Sequence, residues 1–301
     1  MKRPASRPLR SAAAKVIGIT LGDVAGIGPE VVGKALRSGQ LDRDFNYEVI
    51  GESRAPRVAP GKLSTTAARF ALQSLKAGVD GVRSGRYAGL VTGPVNKANL
   101  ARVGFKEPGQ TEWLAKKSGT RRYAMMLAGG NLRVALVSTH LALAEAIRRL
   151  SAAKIVETAE LAREFLLRAG ISKPRIAVAG LNPHAGEGGL FGREEIRIIA
   201  PAVRKLRRRG WDVSGPHSPD TLFHAAAGGR YDAVVCMYHD QGLIPLKLLA
   251  FETGVNVTLG LPFPRTSPDH GTAFDIAGRG VANAGSMIEA LKLACVLARN
   301  D

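Results

Sequence analysis

From Val16 onward, short apolar runs rich in β-branched residues alternate with longer amphipathic stretches. Residues 16–20, 47–51, 87–92, 133–139, 175–180, 233–238 and 255–260 are apolar over strand length and read as strands. Between them hydrophobic residues recur at helical spacing from about Pro29 to Leu36, Thr65 to Lys76, Ala142 to Ala169 and Glu194 to Arg209, and a last helix covers Ser286 to Ala298. Strands that are apolar on both faces, separated by helices, predict an α/β fold with a mainly parallel sheet covered on both sides. Residues 1–14, with Pro4, Pro8 and several basic side chains, read as a flexible arm. No low-complexity linker interrupts the rest, so a domain boundary must be a crossing of the chain. The pattern places it near residues 116–130 with a return near 275, giving a first domain of 15–120 plus 275–301 and a second of 121–274.

The polar residues that end the strands carry the candidate chemistry. Of six histidines, three (His140, His184 and His239) each close an apolar run. In open α/β sheets the active site lies beyond the carboxyl ends of the strands. The intervening stretches are long enough for a crossover helix and a return strand, so consecutive histidines are expected on neighbouring strands. Any one of them alone reads equally well as an imidazole hydrogen-bonded at a strand end. The threefold repetition points to a metal site, because neutral imidazole is a common transition-metal ligand and three leave a position open for substrate.

Composition narrows the class. Hydrophobic residues at 45%, with 35 glycines and 16 prolines, describe a folded, turn-rich chain. Two cysteines in apolar stretches argue against a disulfide framework and for a reducing cytoplasm. No run approaches the roughly 18 apolar residues that span a bilayer, so no membrane association is expected. The net charge of +18 raises nucleic-acid binding, but the excess is scattered over the first residues and short helical faces, and aromatics are only 5%. A stacking platform for bases is therefore not supported, and a solvated basic surface is the simpler reading.

Two glycine-containing loops follow strands. In the first, Gly26 and Gly28 precede Pro29 at a helix start, but their spacing does not fit the dinucleotide fingerprint GxGxxG. The second, after Val91, presents Thr92, Asn96 and Lys97; soon after, Gln110 and Thr111 open a helix with Glu112 in its first turn. Downstream, Lys247, Asn256 and Arg265 supply two cations and an amide suited to a phosphate. The small residues of 269–278 look like a loop wrapping a nucleotide.

The motifs GDVAGIGPE (22–30), VTGPVNK (91–97), GQTEW (109–113), STHLAL (138–143), LNPHAGEGG (181–189), MYHDQGLIPLK (237–247) and NVTLGLPFPRTSPDHGTAFDIAGRG (256–280) resemble the 4-hydroxythreonine-4-phosphate dehydrogenases of pyridoxal phosphate biosynthesis and their relatives acting on 4-phosphothreonate. The resemblance covers nearly the whole chain. It implies a two-domain fold like the isocitrate and isopropylmalate dehydrogenases, a cleft between the domains, and a homodimer with its active site at the interface. It also implies a divalent metal (zinc, magnesium or cobalt) on His140, His184 and His239, NAD or NADP against Gly271, Thr272 and Asp275, and a small phosphorylated hydroxy acid on Gln110, Thr111, Lys247, Asn256 and Arg265. The expected reaction is oxidation of 4-phosphohydroxy-L-threonine followed by decarboxylation to 3-amino-2-oxopropyl phosphate, with Asp240, Lys97 or a metal-bound hydroxide as proton acceptor. A sibling specificity for 4-phosphothreonate, or a metal- and nucleotide-binding homologue without this activity, are the alternatives. Two departures stand out: Gln110 replaces the family's histidine, and residues 50–65 are short for the family.

Overall fold

The structure is a computed structural model that describes residues 14–300; all but the last residue of the expected arm lies outside them. The order is β1 (Lys15–Thr20), α1 (Gly28–Arg37), β2 (Phe45–Val49), α2 (Thr65–Arg83), β3 (Gly89–Thr92), α3 (Lys97–Ala101) and α4 (Gln110–Ser118). A hairpin, β4 (Ala124–Gly129) and β5 (Leu132–Leu136), precedes α5 (Leu143–Arg148), α6 (Ala152–Arg168), β6 (Ile176–Ala179) and α7 (Ala200–Arg207). Then come β7 (Val213–His217), α8 (Pro219–Ala227), β8 (Ala233–Cys236), α9 (His239–Ala250), β9 (Val255–Leu259), β10 (Arg265–Pro268) and α10 (Gly285–Arg299).

The ten strands form one sheet, ordered β2-β1-β3-β10-β9-β4-β5-β8-β6-β7. The two outer parts are parallel, whereas β10-β9, β9-β4 and β4-β5 pair antiparallel, so the sheet is mixed. The expected strand at 255–260 is thus antiparallel to both neighbours. Ile17, Leu90, Val134, Ile176 and Val234 are fully buried, which is why these strands read as continuous apolar runs. The chain links β2 to α2 with one short 3₁₀ turn, Glu52–Arg54.

Three helices depart from the pattern. The stretch 142–169 is two helices, because Ser151 caps α6 by accepting a hydrogen bond from the Lys154 N–H, and buried Leu150 turns the chain inward. Ahead of α7, Glu195–Ile199 is a π turn; Pro201 has no N–H to donate to the carbonyl four residues back. Helix α2 runs to Arg83, past Gly78 and Gly81, where a Cβ would lie 2.7 Å from Leu90 and 2.2 Å from Tyr87. There glycine is a packing requirement and not a helix stop.

Candidate active site

The motif loops lock to one another at the ends of β1 and β3. Gly22 takes φ +71°, and a Cβ there would meet the Pro94 carbonyl at 2.1 Å, so only glycine fits. Asp23, 1% exposed, receives its neighbour Ala25 N–H on Oδ1 at 3.0 Å and the Asn99 amide on Oδ2 at 2.8 Å. Its own N–H donates to the Pro94 carbonyl at 2.9 Å, and Ile27 N–H donates to the Thr272 carbonyl at 3.0 Å. The glycine turn, the loop after β3 and the segment at 272 therefore form one rigid wall.

Across that wall lies a cavity of about 250 Å³ that gathers Lys97, Gln110, Thr111, Asn256, Arg265 and Gly271 together with His140 and His239. Arg265 is 2% exposed. Its guanidinium donates to Thr258 Oγ1 at 3.1 Å, Thr92 Oγ1 at 2.6 Å and Gln110 Oε1 at 3.4 Å, all neutral acceptors. Burial pushes its pKa down to about 10, against the pull of Glu112. A buried cation with only neutral partners is an anion site held ready. Arg265 Nε, Asn256 Oδ1, Glu112 Oε2 and His270 Nε2 are buried without a hydrogen-bond partner, and all four residues line this cavity. Buried polar atoms are normally satisfied, so these mark where a ligand's atoms belong. Lys247 does not line the cavity but ion-pairs with Asp269, which does, at 2.8 Å.

The histidines follow the ends of β5, β8 and β6, in that order across the sheet. The strands before His184 and His239 are neighbours as expected, but β8 lies between those before His140 and His184, so His140 is beside His239 instead. Ser138 Oγ donates to the Met237 carbonyl at 2.9 Å, tying the first two strand ends; Gln241 ties the next by accepting from Met237 N–H at 2.7 Å and donating to the Gly180 carbonyl at 2.6 Å. The rings of His140 and His239 are 5.8 Å apart. Burial, first, and then Lys97 and His239 hold the His140 pKa below its usual value, with Glu112 opposing, which favours the neutral, ligating form. His184 is 60% exposed, on a run from 184 to 188 that is left-handed throughout. Glu195 steadies that run's base by accepting the Leu181 and Asn182 N–H groups at 2.7 Å each. Among the described residues, no three His, Cys, Asp or Glu side chains converge on one ion.

Each histidine nevertheless has a carboxylate near Nδ1: Asp240 at 2.7 Å from His239, Asp220 at 3.9 Å from His184 and Glu112 at 4.0 Å from His140. In the His239–Asp240 pair, which is within hydrogen-bond distance, that arrangement leaves Nε2 free to ligate, the usual support of a metal-bound imidazole. The donor chemistry fits a divalent ion, and two of the three histidines lie side by side. Asp240 itself is 71% exposed and stands beside the cavity, not in it. Thr272 is buried in the wall, and Asp275 is exposed. Asp220, Asp269, Thr258 and Glu112 were not among the expected site residues, although Glu112, Thr258 and Asp269 lie inside the motifs; a buried arginine and paired imidazoles imply such neighbours without naming them.

A family model described as pyridoxal phosphate biosynthetic protein PdxA matches residues 11–294. A 4-hydroxythreonine-4-phosphate dehydrogenase of Caulobacter vibrioides is 44% identical over 94% of this chain and 97% of its own length. A D-threonate 4-phosphate dehydrogenase of Cupriavidus necator is 43% identical over 94% and 97%. The crystal structure of a 4-hydroxythreonine-4-phosphate dehydrogenase from Klebsiella pneumoniae superposes with a TM-score of 0.81 at 40% identity, covering 94% of this chain and 99% of that one. An isocitrate dehydrogenase from Methylococcus capsulatus, at 15% identity and a TM-score of 0.51, shares the fold. Fold and relatives together define an α/β oxidoreductase with the isocitrate dehydrogenase-like architecture. Within that class the chain belongs to the PdxA family.

Proposed function

We propose that the protein oxidises 4-phosphohydroxy-L-threonine with NAD or NADP in a divalent-metal-dependent reaction, and that loss of carbon dioxide then yields 3-amino-2-oxopropyl phosphate. The observation that carries this reading is the buried Arg265, without a carboxylate partner, in one cavity with two paired histidines. Arg265, Asn256 and Lys247 bind the phosphate, Lys247 being shared with Asp269. Gln110 and Thr111 orient the hydroxy-acid end. Asp240, hydrogen-bonded to His239, or Lys97 takes the hydroxyl proton. When bound, a divalent ion supplies Lewis acidity at the substrate hydroxyl and the nicotinamide the two-electron acceptor. His140 and His239 of one chain and His184 of a second copy would hold the ion, with Gly271, Thr272 and Asp275 against the dinucleotide.

Large exposed apolar side chains lie along the chain near each histidine: Leu141 and Leu143 after His140, Leu190 and Phe191 after His184, and Ile244 and Leu248 on α9, the helix that His239 opens. Such patches support a homodimer closing over the site. The cavity draws Lys97 and Gln110 from residues 15–120 and His140, His239 and Arg265 from 121–274, which supports a cleft between two lobes, the first including 275–301. Both cysteines are buried free thiols, in keeping with a reducing cytoplasm.

Gln110 favours the second reading, a 4-phosphothreonate dehydrogenase. Its Oε1 accepts from Arg265 and its Nε2 donates to the Gly93 carbonyl at 3.2 Å, leaving the substrate one neutral N–H donor and one lone pair of an oxygen already turned to the guanidinium. A hydroxyl meets that donor better than an ammonium does. Steady-state kcat/KM for 4-phosphohydroxy-L-threonine and 4-phospho-D-threonate, each with NAD and NADP, separates the readings. The first expects the amino acid to be preferred by at least about tenfold. The reverse ratio assigns the second, and no turnover of either sinks both.

A further inference from the structure

Glu112 stands in the first turn of α4, beside Gln110 and Thr111, and takes no part in the chemistry assigned above. Its Oε1 lies 4.0 Å from His140 Nδ1, with the side chain only 19% exposed. Its Oε2 is buried without a partner. An acid in a first helical turn serves the helix dipole equally well from a solvated position. Burying a carboxylate oxygen without a donor costs free energy, so helix stabilisation does not account for the placement. Gly109 makes room for it: a Cβ there would stand 3.0 Å from Glu112 Oε2. His239 and Asp240 show the same pairing in tighter form, with Nδ1 and Oδ1 2.7 Å apart.

We propose that Glu112 is a positioning residue for His140, its carboxylate accepting the Nδ1–H, fixing the tautomer and keeping Nε2 as the ligating nitrogen. This rests on the metal reading given above. The present contact is about 1 Å longer than a formed N–H···O bond, and such bonds are often long before ligand binds. Glu112 is also the carboxylate whose charge acts on buried Arg265. Its loss should therefore weaken the metal end of the cleft while leaving the anion end unchanged or tighter.

The test titrates the full-length wild type, Glu112→Gln and Glu112→Ala with Zn²⁺ alone, by competition with a chromophoric chelator, and separately with inorganic phosphate. The Zn²⁺ Kd is expected to rise about 10–100-fold in Glu112→Ala, and less in Glu112→Gln, which keeps an acceptor oxygen. Phosphate affinity should hold or improve in both, a result that general damage to the site would not give. Zn²⁺ affinity within about twofold of wild type in the variants overturns the proposal. If Glu112→Ala does not fold, the near-isosteric Glu112→Gln decides alone. A wild type that binds no Zn²⁺ instead overturns the metal reading itself, so the two failures are distinguishable.

Discussion

Arg265→Met is expected to lower kcat/KM for the phosphorylated substrate by about 10²–10³-fold, mostly through KM, while the melting temperature stays level or rises. The two effects have one cause. Arg265 is buried among neutral acceptors and forms no ion pair, so the folded protein carries a cation's desolvation that the charge of Glu112 only partly offsets. Methionine fills similar volume without charge, and Thr92 and Thr258 lose only a neutral-acceptor role. A phosphate, by contrast, loses charge-assisted hydrogen bonds in a site shielded from water, which cost about 2–5 kcal/mol to break. Thermal melts and steady-state kinetics on the same preparations check both halves. A variant that melts far lower yet retains substrate affinity would mean that Arg265 is a structural residue and not the anion anchor.

His140→Ala and His184→Ala are each expected to abolish turnover and tight Zn²⁺ binding, and mixing the two dead proteins should restore activity. His140 and His239 sit side by side, whereas His184 stands 60% exposed on its own rigid turn. If a second copy supplies His184, a mixed dimer has one site with both lesions and one with none. Random subunit exchange then regenerates roughly a quarter of the wild-type sites, since a two-fold interface pairs the same surfaces in every combination. Recovery is read as dehydrogenase rate after exchange. Activity that stays at zero in demonstrably mixed dimers places all three ligands in one chain.

Much of the fold was legible because β1, β3, β5, β6 and β8 are buried on both faces and so wear a continuous apolar signal. β10 was not, because Arg265–Pro268 is fully buried yet polar: its side chains build the cavity, so burial left no hydrophobic trace. Strand β4, the first arm of the hairpin, hid inside a stretch read as a crossing between domains. At the site, His140 and His239 were legible as strand-end residues, and their pairing follows from adjacent strands. The separate position of His184 was not, since it depends on sheet order and on a left-handed run that no pattern of residue types announces. Lys247 showed the same limit: its charge is visible in sequence, its pairing with Asp269 only in space.

In the proposed reaction one cavity joins an anion anchor to a metal-assisted oxidation. Its most direct test is the rate of NAD(P)H formation by metal-stripped and Zn²⁺- or Co²⁺-loaded protein on 4-phosphohydroxy-L-threonine and on the same compound without its phosphate. Turnover is expected only with both metal and phosphate present, with recovery when metal is returned. Equal rates with and without either one would contradict it.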